Sequence, residues 1–382
     1  MHTPGVTDRR VWDTETSLIP LCCPRCSGAL DRRIDLYRCI VCHHEYPIIL
    51  GIADFRVFPD PYIDYADDRA KGARVLEGME DASFAILVRR YWELTPDVPR
   101  DLVEGYVSHV LAAAERAISI LAEVRGAGRR LGASPAVSSG ALLEIGCGTG
   151  GLLIAAAREY EQVVGVDIAF RWLAIATKRV QEAVDTGELT PQQAARIQIL
   201  CACAERLPLP AGAFDVVVGA SVLEHAKRQE DVLRQACQAL RAHGLLFLTS
   251  VNRLSLAPEP HVHVWGVGFL PRRWMGPYVR RVRGVPYRHI RLLSAPGLVA
   301  LLRRTGFEHW RVEPPPLPEA DVRRYSARIQ AAARVYDRLR RMPGPRQLLT
   351  LFGPLLQVAA VRGDAAQPNL NRRVTDQTAL RA

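Results

Sequence analysis

Ala141-Leu-Leu-Glu-Ile-Gly-Cys-Gly-Thr-Gly-Gly151 runs a short apolar strand into a glycine loop, with a helical pattern after it. Glycines at 146, 148 and 150 let the backbone turn sharply and approach a ligand closely. Nineteen residues after Gly148, Val163-Val-Gly-Val-Asp167 reads as a second strand that ends in a carboxylate. An acid in that place can accept hydrogen bonds from both ribose hydroxyls of an adenosine. Strand–helix alternation continues to about residue 251, the pattern of an α/β domain built on a parallel sheet.

Gly146, Gly148 and Gly151 also satisfy G-x-G-x-x-G, so the loop alone does not separate a nicotinamide enzyme from an S-adenosylmethionine enzyme. The surroundings do. With Glu144 the loop reads acid-x-Gly-x-Gly-x-Gly and resembles motif I of class I S-adenosylmethionine-dependent methyltransferases, in the branch with a type-11 methyltransferase domain. Ala204-Glu-Arg-Leu-Pro-Leu-Pro-Ala-Gly-Ala-Phe-Asp-Val-Val-Val218 resembles their segment from the adenine loop into strand four. Ser221-Val-Leu-Glu-His225 resembles their helix-start signature, and Ala239-Leu-Arg-Ala-His-Gly-Leu-Leu-Phe-Leu-Thr249 their fifth strand. The match covers residues 141–251 without a gap.

This resemblance implies a Rossmann-like sheet of seven strands with an antiparallel last strand. It also implies roles. Glu144 would steady the loop and the amino group of the methionine part. Gly146, Gly148 and Gly150 would form the cofactor floor, Asp167 would hold the ribose, and Ala204 and Glu205 would flank adenine. The aspartate usual for the adenine amino group is replaced by Cys203. Ser221-x-x-Glu224-His225 also resembles Glu-x-x-Glu-His, the magnesium site of quinone-pathway O-methyltransferases. The serine removes a charged oxygen ligand, which argues against magnesium here.

Five of the nine cysteines lie between residues 22 and 42. Cys23-Pro-Arg-Cys26 and Cys39-Ile-Val-Cys42 are two C-x2-C pairs, each able to present two thiolates to one metal. Together Cys23, Cys26, Cys39 and Cys42 close a tetrahedral sulfur site, which suits structural zinc and leaves no open position for chemistry. So small a module has too little core to fold without the metal. The following Tyr46-Pro-Ile-Ile-Leu-Gly-Ile52 resembles the tail of the YcaR-type zinc ribbons, relatives of the activator subunit of tRNA and protein methyltransferases. That likeness implies a stabilising or docking module.

The chain divides by composition. Residues 1–20 read as a polar tail and 21–58 as the ribbon. Residues 59–135 read as a helical connector or lid, with Val103, Tyr106, Val110, Ala113, Ala117, Leu121 and Val124 at helical spacing. Residues 136–363 read as the methyltransferase-like domain, with an acceptor cap at 256–294 and a helical insertion at 319–341. Residues 364–382 read as a disordered tail. Methyl transfer to a hydroxyl needs a general base. The candidates are His225, then His261 and His263 in Pro258-Glu-Pro-His-Val-His-Val-Trp265, just past strand five, and His289 in Tyr287-Arg-His-Ile290.

Composition sets the outer limits. Hydrophobic residues are 48% and charged residues 24% of 382, ordinary globular usage that excludes a wholly disordered or fibrous chain. Met1 to Pro20 hold no apolar signal core, and Leu348 to Val361, 14 residues, falls short of the ~20 a membrane span needs, so a soluble cytoplasmic protein is expected. Net charge is +10, but Pro271 to Ala382 hold 22 arginines and 7 acids, a balance of +15. That asymmetry points to an anionic partner. The leading expectation is methylation of a small-molecule, lipid or glycan-precursor acceptor, with S-adenosylmethionine and structural zinc as cofactors. An rRNA or tRNA methyltransferase using the basic third, and a non-catalytic docking scaffold, are the alternatives.

Overall fold

The computed structural model describes residues 19–79, 81–95, 98–317, 322–323 and 326–364. The polar N-terminal tail, the first residues of the expected helical insertion and nearly all of the expected C-terminal tail lie outside the described residues.

Eleven strands form one sheet, in the order β1-β2-β3-β4-β7-β6-β5-β8-β9-β11-β10. The strands are β1 (Leu30–Arg32), β2 (Leu36–Cys39), β3 (Glu45–Ile49), β4 (Ile52–Asp54), β5 (Ala141–Ile145), β6 (Gln162–Asp167), β7 (Ile197–Cys201), β8 (Phe214–Ala220), β9 (Leu240–Val251), β10 (Phe307–Glu313) and β11 (Leu355–Arg362). From β5 onward the spatial order is third, second, first, fourth, fifth, seventh, sixth. β5 to β9 are parallel, and β11 is antiparallel to β9, pairing Leu355 with Val251 through Val361 with Leu245. β5 lies at the centre with all five residues buried, which explains a run without polar alternation. Leu143 and Ile145 enter the core on one face, with Val164 and Val217. Leu142 enters the core on the other, with Val163 and Val216.

The sheet is larger than the seven strands expected. β4 pairs in parallel with β7, Ala53 opposite Leu200 and Asp54 opposite Cys201, and β3 continues the sheet antiparallel to β4. The cysteine-rich segment is therefore not a separate body. It adds strands to an edge that would otherwise present unpaired backbone groups.

The connector is helical at Tyr65–Leu76, Phe84–Glu93, Arg100–Leu111 and Ala113–Leu131. The apolar stripe at helical spacing is broken at Ala112, so its two halves belong to different helices. Ala117, Leu121 and Val124 of the second are buried against the sheet. A Cβ on Gly151 would stand 2.5 Å from the Cβ of Ala113, so glycine is what lets this helix close on the first turn after the glycine loop.

Candidate functional site

The carboxyl ends of β5 and β6 make the first half of the site. Gly146, Gly148 and Gly150 have φ of +77°, +48° and +74°, in the left-handed region that favours glycine. A Cβ on Gly146 would strike Val222, whereas nothing lies within 4 Å of the Cβ position of Gly148, so the loop keeps an open cradle there. Asp167 accepts from Gly148 N and Ala169 N, both at 2.8 Å, and so ties the loop to the next helix. Burial pushes the Asp167 carboxyl up despite these two donors.

Glu144 is buried, and its Oε2 has no hydrogen-bond partner. Burial, with the charge of Asp167 adding and Arg179 opposing, pushes its pKa up to about 8. A buried carboxyl oxygen without a donor requires an explanation. A ligand that brings an ammonium group to Glu144 and a diol to Asp167 supplies one. These residues fit S-adenosylmethionine.

Glu205 is buried, and its Oε1 accepts from Lys227 N and Arg228 N at 3.1 and 3.3 Å, so the carboxylate holds the turn before helix Gln229–Ala239. Ala204 is half-buried, and Cys203 points its thiol to Phe58 O at 3.4 Å.

The segment that follows β4 crosses this same edge, a path that no local pattern in the sequence announces. Phe55 N donates to Cys201 O at the end of β7, and Tyr62 Oη lies 3.4 Å from His225 Nδ1 beyond the end of β8. Buried ion pairs hold the path. Arg56 reaches Asp54 at 2.7 Å and Asp68 at 2.6 Å. Arg171, in helix Phe170–Asp185, reaches Asp68 at 2.7 Å and Asp60 at 2.8 Å.

The second half of the site lies beyond β8 and β9. His261 Nδ1 meets Glu259 Oε1 at 2.5 Å, and the other Glu259 oxygen accepts from His261 N and Val262 N. Burial alone would lower the His261 pKa. The hydrogen bond and charge of Glu259, with the charge of Glu224, outweigh it and raise the imidazole above its usual value. His225 stands with its ring centroid 5.0 Å from that of His261, edge to face. Burial, and then the charge of His261, push His225 down to about 4. Glu224 is buried, accepts from Ser250 Oγ at 2.9 Å, and leaves its Oε1 without a partner. Glu224, His225 and His261 each present a ligand atom within 4.8 Å of the others, close enough to share a cation.

His263 does not join this cluster. It is exposed, at a left-handed backbone position with φ +55°. Two tyrosines complete the wall. Tyr106 Oη donates to His261 O at 3.1 Å, and the Tyr62 ring meets His289 edge to face with centroids 5.4 Å apart. Only their aromatic character marked them in the sequence.

Residues 143–248 match the family described as methyltransferase domain. Ubiquinone biosynthesis O-methyltransferase of a Methylobacterium species is 33% identical over 137 residues, 34% of this chain and 49% of that protein. A probable S-adenosylmethionine-dependent methyltransferase of Mycobacterium tuberculosis is 31% identical over 128 residues, 33% of this chain and 40% of that protein. The chain spans about half the length or less of these curated relatives. Among solved structures, a methyltransferase of Mesorhizobium loti aligns with 21% identity over 60% of this chain and 94% of its own, at a TM-score of 0.40.

Nearer the N-terminus, Cys23, Cys26, Cys39 and Cys42 converge. Cys23 Sγ lies 3.6 Å from Cys42 Sγ, and Cys26 Sγ lies 3.4 Å from Cys39 Sγ, with all four sulfurs within 4.8 Å of one another. Four sulfurs around zinc at ~2.3 Å stand about 3.8 Å apart, so the set fits a tetrahedral metal. Val41 N and Cys42 N point at Cys39 Sγ at 3.4 Å, and Tyr46 Oη reaches Cys23 Sγ at 3.1 Å. These donors suit thiolate sulfur. Tyr46 then stacks toward Phe55, which is fully buried where the ribbon enters the sheet.

Proposed function

We propose that the chain transfers the methyl group of S-adenosylmethionine to a hydroxyl of a small-molecule, lipid or glycan-precursor acceptor, with His261 as general base. The Glu259–His261 pair carries this reading. It is a buried carboxylate aligned on an imidazole, at the sheet edge that also holds the glycine loop. S-adenosylmethionine brings a methyl group that is already activated, so the chain has to hold, align and deprotonate. Glu144 and Asp167 hold the cofactor's ammonium and ribose. Glu259 fixes Nδ1 of His261, leaving Nε2 to take the hydroxyl proton as the oxygen bonds to the methyl carbon and the carbon–sulfur bond breaks. Glu259 then stabilises the resulting imidazolium. Tyr62, His225 and His289 wall the acceptor and limit water. Cys23, Cys26, Cys39 and Cys42 hold one structural zinc, which keeps the ribbon strands on the sheet.

Two measurements test this together. Labelled S-adenosylmethionine incubated with fractionated lysate should label the lipid or polar small-molecule pool. With that acceptor, His261→Ala should lower turnover by roughly 100-fold while calorimetry shows cofactor binding unchanged. Label in RNA, or turnover that survives His261→Ala, defeats the reading.

A further inference from the structure

The carboxyl edge of the sheet carries a second feature. Helix Arg272–Arg283 follows β9, and helices Ala327–Arg341 and Pro343–Phe352 lie between β10 and β11. Together they hold eleven arginines and one acid, Asp337. β11 starts opposite Val251, so the inserted helices return to the same edge as the Glu259–His261 pair. The two regions are tied to each other. Asn252 Nδ2 donates to Leu351 O and Gly353 O at 3.0 and 2.9 Å, and Leu256 N donates to Phe352 O at 3.0 Å.

These helices are poorly buried for their composition. Pro343–Phe352 buries none of its residues, and Ala327–Arg341 buries only Ala333. Leu348 is 61% exposed, Leu256 60%, Trp265 64% and Trp274 55%, and Leu351 and Phe352 are also exposed. Arginine alone would suit a nucleic acid or an acidic protein. The exposed Leu256, Leu348 and Leu351 suit neither, because a base stacks on an aromatic ring but leaves an aliphatic side chain facing water. The boundary between lipid headgroups and acyl chains takes both kinds, cations at the phosphates and aromatic or aliphatic groups just beneath.

We propose that this face docks on an anionic lipid bilayer and turns the carboxyl edge of the sheet toward the headgroups. The chain lies on the membrane, as no described helix is long and apolar enough to cross one. The proposal does not rest on the methyl-transfer reading, since docking requires neither cofactor nor acceptor.

The test is co-sedimentation of the full chain with vesicles of phosphatidylcholine alone and of phosphatidylcholine mixed with phosphatidylglycerol. Binding to the anionic vesicles should be at least roughly tenfold stronger and should weaken as salt is raised. Leu348→Glu with Leu351→Glu should cut that binding at least roughly tenfold with the melting temperature unchanged, because neither side chain is buried. Arg280→Glu with Arg281→Glu, in the other region, should do the same. Equal binding to both vesicle types, no binding, or variants that bind like the parent overturns the proposal. So does competition by single-stranded RNA that binds parent and leucine variant alike, which would make the face a nucleic-acid surface.

Discussion

Asp68→Ala should unlatch the N-terminal third of the chain from the methyltransferase domain. Asp68 sits in helix Tyr65–Leu76 with its side chain fully buried, and it accepts from Arg56 Nη1 at 2.6 Å, Arg171 Nη1 at 2.7 Å and Phe170 N at 2.9 Å. One carboxylate thus joins the ribbon tail, the connector and the first turn of the helix that follows β6. Removing one partner from a buried ion pair costs about 3–5 kcal/mol. Here each arginine keeps another carboxylate, Asp54 for Arg56 and Asp60 for Arg171, which favours the lower end. The lost acceptor at the helix start adds about 1 kcal/mol. A total near 4 kcal/mol corresponds to a fall of about 5 °C in melting temperature for a chain of this size.

The effect should also reach the cofactor. Arg56 Nη1 donates to Ile168 O at 3.1 Å, one residue past Asp167. Calorimetry should therefore show weaker S-adenosylmethionine binding in the variant, alongside the lower melting temperature. Glu230→Ala, which removes an exposed partner of Arg234, is the control and should cost no more than about 0.5 kcal/mol. An Asp68→Ala protein that melts within a degree of the parent would show that the buried network does not hold these elements together.

Zinc removal should act on the same latch. Purified protein should carry about one zinc per chain, and a strong chelator should lower the melting temperature and expose the segment around Phe55 to protease; zinc well below one per chain would refute the site. The pH profile should expose His261. Neutral imidazole is the base and its pKa is raised, so turnover should rise with pH through a limb above the usual 6.5. Glu259→Gln removes the group that raises it, leaving burial to lower it, and the limb should move to lower pH. In stability the raised pKa favours the protonated fold. That contribution is full below the unfolded value and is lost as pH rises through the folded value, and Glu259→Gln should abolish it. A profile unmoved by Glu259→Gln would detach His261 from catalysis.

Parts of this architecture are legible because their signals are local. The glycine loop, the carboxylate that ends β6 and the paired cysteines each occupy one short stretch whose chemistry needs no distant partner. The choice between His261 and His263 is not local in that sense. Both lie in one polar run, and only the folded chain shows that His261 stands beside Glu224 and His225 while His263 is exposed. Tyr62, Asp60 and Tyr106 were illegible for a different reason: their partners stand 163, 111 and 155 residues away. The bond of Glu205 to the turn at Lys227 and Arg228 was hidden in the same way, since its partners stand 22 and 23 residues away. The extension of the sheet was equally hidden. β4 is only three residues long and joins β7 through its backbone, which leaves no pattern in the side chains.

The joining of ribbon and sheet gives the ribbon a use that a tethered module would lack. Strand β4 ends at Asp54, and the next eight residues cross the cofactor edge to Tyr62. A span that short transmits position. If β4 leaves β7, Phe55 loses its bond to Cys201, Arg56 its place beside Asp68, and Tyr62 its place beside His225. Three strands of three to five residues carry little core of their own, so a metal is the economical way to keep such a small edge folded. On this argument the cysteines act at a distance on the acceptor wall, through the rigidity of one strand and the chain that leaves it. Zinc loss should then impair turnover more than it impairs cofactor binding, because Glu144 and Asp167 stand on strands that pair without the ribbon, whereas Tyr62 does not.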